Sequence, residues 1–296
     1  MMTGLLAAAW LVSVLYVHYR GRVRLKPRRQ LFDQTTFMAP VNAFVLLFSK
    51  VPRRPFIPLA AFPELAPLRE HWRGIRTEAA QLGALRAVTM LEGQADPELD
   101  AFIEHGWKYF FLKWYDEVQP AARRLCPRTY ALLQSMPSVK IATFVELPPG
   151  AKIYRHRDPY AGFLRYHLGL ATPNDDACFM EVDGQRHALY DGQAMLFDET
   201  YVHLARNDTG RPRIVLLCDI ERPLRYRWAQ ALSHHVGRML MTATNAPERR
   251  GRASGAGQWL RALGRWRRSF RAWSMAAYRA SVALAILAIV ALLAWW

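Results

Sequence analysis

Hydrophobic and polar positions fall into three textures along this chain, and each change of texture marks an element. Residues 4–19 are almost wholly apolar. Residues 30–58 are mixed, with the run Phe44-Val45-Leu46-Leu47-Phe48 and a Pro/Arg stretch at 51–55, and read equally as a membrane-surface segment or a linker with a small apolar contact. Between 63 and 88, Leu65, Leu68, Trp72, Ile75, Ala79 and Leu82 recur at helical spacing, which predicts a helix with one buried face. Residues 106–116 are crowded with aromatics and read as a strand along a core, and 127–133 as a short helix with Pro in its first turn. After Pro137 the chain becomes a series of short apolar runs cut by turn residues: 139–147, 151–156, 163–171, 178–182, 186–190, 194–197, 202–205 and 213–220. Asp183-Gly184 between two such runs is a hairpin signal, and the series favours a closed or sandwich-like antiparallel fold. Residues 226–241 turn helical again, and 242–257 form a polar, glycine-containing connection.

The candidate chemistry lies inside the strand series. Side chains alternate along a strand, so His156 and Asp158 point the same way, and His203 from a later strand would complete two imidazoles and a carboxylate. That is the facial set that holds non-haem Fe(II) and leaves positions open for substrate and oxygen. A His-x-Asp pair alone says little; its weight comes from His203 and from Arg213 ten residues further on. The Arg213 guanidinium suits a carboxylate held by two parallel hydrogen bonds, as a 2-oxo-acid cosubstrate requires. Arg165 and His167 share a strand face and are assigned to the same anion, although His167 competes as a metal ligand and Arg165 would serve equally as a partly buried salt bridge. Asp198 either orients His203 or caps the turn at Glu199-Thr200. His187, His234 and His235 have no carboxylate at strand spacing.

Charge and the chain ends add a location. The 296 residues carry a net charge of +16, which calls for an anionic partner, but no zinc-finger, RNP or helix-turn-helix signature accompanies it, so nucleic acid is not expected. Cys126, Cys178 and Cys218 are widely spaced and read as buried thiols in a reducing compartment. The apolar run at 4–19 is followed by Arg20, Arg22, Arg24, Lys26, Arg28 and Arg29, the reverse of a secretory signal. A second apolar run, 280–296, is preceded by Arg261, Arg265, Arg267, Arg268, Arg271 and Arg279. By the positive-inside rule both ends anchor in one membrane with the middle of the chain in the cytoplasm. The alternative is a buried helix of a soluble protein at each end. The organisation expected is an N-terminal anchor (1–19), a basic linker and helical flank (20–136), a catalytic core (137–225), a basic juxtamembrane segment (226–279) and a C-terminal anchor (280–296).

Four stretches together carry a resemblance: His156-Arg157-Asp158-Pro159-Tyr160-Ala161-Gly162, Leu164 to Leu170 (LRYHLGL), Phe197 to His203 (FDETYVH) and Asp219-Ile220-Glu221-Arg222-Pro223. They resemble the aspartyl/asparaginyl β-hydroxylase superfamily, and within it the bacterial lipid A hydroxylases, over residues 137–225. The resemblance implies an α+β protein with a double-stranded β-helix (jelly-roll) core, flanking helices and hydrophobic anchoring helices at both termini. It implies His156 and His203 as iron ligands, Arg213 on 2-oxoglutarate, and Arg165 and His167 beside that cosubstrate. Protein-hydroxylating members carry Gly where this chain has Asp158, so a full triad is expected here and a protein substrate is disfavoured; the chain also has Val145 near where those members offer a Ser. The activity implied is an Fe(II)- and 2-oxoglutarate-dependent dioxygenase acting on a fatty acyl chain of lipid A or a lipid A precursor at the bacterial inner membrane, from the cytoplasmic side and with no evident protein partner. Other readings are hydroxylation of a protein or of another membrane lipid by the same site, or a non-catalytic membrane-attached β-barrel module.

Overall fold

The computed structural model describes residues 2–31, 33–84, 108–115 and 119–244. The C-terminal anchor at 280–296 and the basic segment from 245 onward lie outside them. Among the described residues the strands are β1 (Phe56–Ile57), β2 (Lys108–Trp114), β3 (Val139–Leu147), β4 (Lys152–His156), β5 (Phe163–Ala171), β6 (Cys178–Val182), β7 (Gln185–Ala188), β8 (Ala194–Phe197), β9 (His203–Asn207) and β10 (Arg213–Glu221). They form two antiparallel sheets, one in the order β1-β8-β5-β10-β3-β2 and one in the order β4-β9-β6-β7. From β3 to β10 the chain crosses back and forth between the sheets and stays within one of them only at the β6–β7 hairpin, which is jelly-roll winding. That hairpin turns on Asp183 and Gly184 at φ 52° and 81°, the left-handed pair that a two-residue turn of this kind requires.

Alternation along the central strands sorts the residues. Leu164, Tyr166, Leu168 and Leu170 of β5, with Leu216, Cys218 and Ile220 of β10, face outward into one hydrophobic cluster. Helices cover that cluster. The intervening residues face the second sheet, where Val145, Leu147, Met195, Phe197 and Val215 meet Met180, Val182 and Ala205. Arg165, His167, Arg213 and Asp219 share the parity of this inner set, so polar side chains stand within an otherwise apolar inter-sheet space.

The helices are α1 (Met2–Tyr19), α2 (Pro27–Leu31), α3 (Gln34–Phe37), α4 (Ala39–Phe48), α5 (Ala66–Glu70), α6 (Trp72–Ala84), α7 (Pro120–Leu125), α8 (Pro127–Gln134) and α9 (Arg227–Thr244). The helix expected over 63–88 is a 3-10 turn at Pro63–Leu65 followed by α5 and α6, interrupted at His71. Leu65, Leu68, Ile75, Ala79 and Leu82 are buried, as the spacing predicts. Residues 30–58 are not a linker, since they pack as ordered elements. In α4, Val45 and Leu46 are buried against Tyr160, Phe163 and Leu224, and Phe56 and Ile57 pair with β8.

The N-terminal anchor expected at 1–19 is not established as a membrane span. Residues 2–19 are helical, but among the described residues no helix is long and apolar enough to cross a membrane. At about 1.5 Å per residue, eighteen residues reach about 27 Å, short of the roughly 30 Å of bilayer hydrocarbon. Instead α1 packs along α4 with Val17 buried. Arg20, expected as a free basic flank, is nearly buried: it is paired with Asp198, donates to Thr200 and lies over the Tyr201 ring.

Asn42 joins this helical layer to the sandwich. It is fully buried, its Nδ2 donates to Pro159 O at 2.8 Å, and its Oδ1 accepts from Ala161 N at 2.8 Å. Removing it strands a buried backbone N–H and a buried carbonyl at once, each costing about 1–3 kcal/mol. We expect Asn42→Ala to lose about 2–4 kcal/mol of stability in urea unfolding, well beyond an exposed control on the same helix such as Leu47→Ala.

Candidate metal centre

His156 ends β4 and His203 opens β9, and the two are direct cross-strand partners. Their rings lie 4.2 Å apart between centroids. Asp158 stands two residues past His156, beyond the strand end, yet its N–H still donates to Glu199 O, which keeps the segment alongside the approach to β9. The expectation that both ligands lie on one strand is therefore corrected to one ligand on the strand and one on its continuation. The Asp158 Oδ1 is 3.4 Å from His156 Nε2 and 3.6 Å from His203 Nε2. Ligand atoms from the three residues lie within 4.8 Å of one another.

Backbone carbonyls set the tautomers. His156 Nδ1 lies 2.8 Å from Tyr154 O, and His203 Nδ1 lies 3.0 Å from Tyr201 O. A carbonyl only accepts, so each Nδ1 carries a hydrogen and each Nε2 is the ring nitrogen that faces Asp158. Burial first, and then His156, push His203 down to about 4, so it is neutral at pH 7 and free to bind a cation. Burial works against an ionised Asp158, but the Arg165 guanidinium beside it prevails and holds it below the usual carboxylate range. Two imidazoles and one carboxylate converging on one point fit a divalent ion with open positions.

Arg165 was assigned above to an anionic cosubstrate, with a salt bridge as the other reading. The structure gives its donors to carboxylates: Asp158 at 2.7 Å, Glu199 at 2.8 Å and Asp219 at 2.9 Å. Three acids around one guanidinium cannot all stay charged. Burial, with Asp158 and Asp219 nearby, raises Glu199 well above the usual carboxylate range, so Glu199 holds a proton for Asp158. Glu199 and Asp219 were read in the sequence only as parts of motifs, with no role beside Arg165. The signal was an acid in the apolar run Leu216 to Ile220, and the register that sets Asp219 opposite Arg165 makes its role plain.

Arg213 and His167 have the opposite character. Both are buried, and Arg213 Nε and Nη1 and both ring nitrogens of His167 have no hydrogen-bond partner among the described residues. Burial, with Arg213 and Arg165 nearby, lowers His167 far below its ordinary value and keeps it neutral. Burial also lowers the Arg213 guanidinium, whose one neighbouring hydrogen-bond partner is the Cys178 thiol. Unpaired donors of this kind are costly unless an anion meets them, and they fit a carboxylate group lodged beside the metal ligands. Asp198 is likewise resolved. It accepts from Thr200 N and Oγ1, capping the turn whose Tyr201 carbonyl fixes His203, and it pairs with Arg20 and Arg222. It acts on His203 through that turn, without touching the ring.

The family model described as aspartyl/asparaginyl beta-hydroxylase matches residues 69–223. An ornithine lipid ester-linked acyl 2-hydroxylase of Rhizobium tropici is 33% identical over 213 residues, covering 69% of this chain and 75% of that protein. The human aspartate beta-hydroxylase domain-containing protein 2 is 33% identical over 126 residues, 40% of this chain, and the match spans only 34% of that protein's length. Among solved structures, KdgF from a Halomonas species is 15% identical over 40% of this chain and 84% of that one, at a TM-score of 0.27.

Two outcomes are expected of the metal-free protein. Unfolded histidine titrates near 6.5, whereas folded His203 titrates near 4, so the unfolded state binds more protons between those values. Stability should be full above about pH 6.5 and fall as the pH drops toward about 4, with His167 contributing in the same direction; urea midpoints across that range read it, and His203→Gln should flatten the slope. In a Co(II) titration, Asp158→Ala should weaken binding at least about 100-fold, as removal of a metal ligand should exceed the roughly 10- to 100-fold cost of losing a second-sphere partner.

Proposed function

Because the chain belongs to the aspartyl/asparaginyl β-hydroxylase family, we propose that it is an Fe(II)- and 2-oxoglutarate-dependent dioxygenase that hydroxylates a fatty acyl chain of a membrane lipid at the carbon next to its carbonyl, with lipid A as the acceptor. The observation that carries this reading is the pairing of an ion-binding triad, His156, Asp158 and His203, with the partnerless donors of Arg213 and His167 in the same inter-sheet space. In this reading the triad holds Fe(II) and Arg213 grips the distal carboxylate of 2-oxoglutarate, while the bound iron supplies the oxygen chemistry. His167, neutral and buried, donates a hydrogen bond to the same anion. Arg165 keeps Asp158 ionised and aimed at the metal, and the apolar wall formed by Met180, Val182, Phe197 and Val215 limits water in the space.

A lipid acceptor is supported by the name of the Rhizobium relative, which also favours a second acceptor, an ornithine lipid. The same three-ligand site would serve either. Expression in a Gram-negative host lacking the modification, followed by mass spectrometry of its lipids, separates them. We expect one added oxygen atom on an acyl fragment of lipid A, lost with Asp158→Ala. The same gain on an ornithine lipid alone would move the acceptor and keep the chemistry, and unchanged lipids of both kinds with well-expressed protein would overturn the lipid reading. With purified protein, Arg213→Ala should raise the 2-oxoglutarate concentration needed for succinate release by about 100-fold, since it removes one side of a buried charge pair.

A further inference from the structure

Among the described residues, exposed large hydrophobic side chains cluster in one part of this molecule. Apart from Tyr154, the large hydrophobic side chains standing in solvent among the described residues are on α1, α3, α4 and α9 or at the start of α9. These helices form one layer: α1 packs along α4, and α4 is joined to the start of α9 by the Ser49–Leu224 bridge and by Arg225 N donating to Phe48 O. On α1, Leu5, Leu6, Leu11, Val12 and Leu15 are between 46% and 70% exposed, and the helix has no charged residue along its length. Ser13 turns its hydroxyl inward to Ala9 O, so even this polar group is satisfied within the helix.

A helix that is apolar on every side belongs in a core or in lipid, and α1 is in neither as it stands. A protein partner would need one stripe; lipid would cover the whole outer surface. At the other end of the layer, Phe44, Phe48, Tyr226 and Trp228 form an aromatic cluster with ring centroids 4.9–6.3 Å apart, and Trp228 remains 57% exposed. Tyr and Trp with one apolar and one polar edge are the residues favoured at a bilayer surface. Charge complements this. Arg22, Arg24, Lys50, Arg225, Arg227 and Arg238 are exposed on or beside these helices, against Asp33 as the single acid in residues 1–54 and none in residues 222–244.

We infer that α1, α4 and α9 form a docking face for an anionic phospholipid bilayer, lying in one leaflet with the aromatic cluster at headgroup depth and the arginines on the phosphates. The face is continuous with the site: Arg157, between two of the candidate ligands, donates to Gln30 and to His18 O at the end of α1, and Asn42 of α4 holds residues 159 and 161. The lipid-acyl acceptor proposed above is the premise that makes this continuity useful, since the docked face would present acyl chains at the metal loop.

The three described cysteines are buried, so an environment-sensitive fluorophore can be placed on new cysteines at Leu11→Cys, Leu232→Cys and, on α8, which packs in a different hydrophobic cluster from α4 and α9, Gln134→Cys in the full chain. With vesicles containing phosphatidylglycerol, the labels at 11 and 232 should shift to the blue and be quenched by lipids brominated on their acyl chains, while the label at 134 stays in water. Arg225→Glu and Arg227→Glu should each weaken that response about fivefold on anionic vesicles and leave it unchanged on phosphatidylcholine. Labels at 11 and 232 that stay in water while the protein is vesicle-bound would overturn the proposal and assign binding to residues 245–296. Labels shielded without vesicles, in proportion to protein concentration, would assign the face to a second copy of the chain. No turnover is read, so a failure here leaves acyl hydroxylation to stand or fall on the lipid mass spectrum.

Discussion

One guanidinium placed between two sheets imposes most of the polar arrangement in this fold. Arg165 sits on the inner face of β5, where the neighbouring positions are Val, Met, Phe and Leu, and an unpaired charge there would cost several kcal/mol. Asp219 answers it from the facing position of β10, and Asp158 and Glu199 come from the segments that precede and follow the histidine pair. Three carboxylates exceed one cation, so one acid must carry a proton, and burial selects Glu199. What remains charged is Asp158, held at the point where two imidazole lone pairs converge. The electrostatic balance of a partly buried arginine therefore also determines the charge of the candidate metal site.

Much of the sandwich was legible because period-two alternation and turn residues are local signals. The runs 139–147, 163–171, 178–182 and 194–197 coincide with β3, β5, β6 and β8, and Asp183-Gly184 is the turn it was read to be. The convergence of His156, Asp158 and His203 was legible for the same reason, although the sequence put Asp158 on the strand and the structure puts it just past the end. What depends on register was not legible. Arg165 reads as well for an anion cradle as for a salt bridge until Asp219 is known to lie across from it. Arg20 looks like one more basic residue in a flank of six, and only its burial against Asp198 and Tyr201 sets it apart. The Phe44 to Phe48 run was ambiguous because five consecutive apolar residues carry no period; its helix is decided by tertiary partners, Tyr160, Phe163 and Leu224.

The segments bearing the ligands are held from outside the sandwich as well as from within it. Residues 156–162 are tied outward through Arg157 to Gln30 and His18, and through Pro159 and Ala161 to Asn42. The approach to His203 is tied through Asp198 and Thr200 to Arg20. Both ties end on the same stretch of chain, the end of α1 and the residues that follow it. The long-range interactions of the N-terminal segment therefore reach the two ligand-bearing segments that must hold their spacing for three ligand atoms to remain within one coordination sphere.

That arrangement constrains how such a site can change its acceptor. The ion-binding triad and the donors of Arg213 and His167 are fixed by β4, β5, β9 and β10, where a shift of one residue would turn every side chain to the other face. The helical layer is less restricted, since it is held to the sandwich by side chains, among them Asn42, Gln30, His18, Arg20, Val45 and Leu46, and not by strand register. On the proposed function, a family built this way could keep the same oxidative centre and vary the layer that meets the acceptor. Lipid and protein acceptors would then differ in the residues outside the sandwich more than in those within it, with Asp158 as the exception, because it belongs to both the metal centre and the loop that the layer holds.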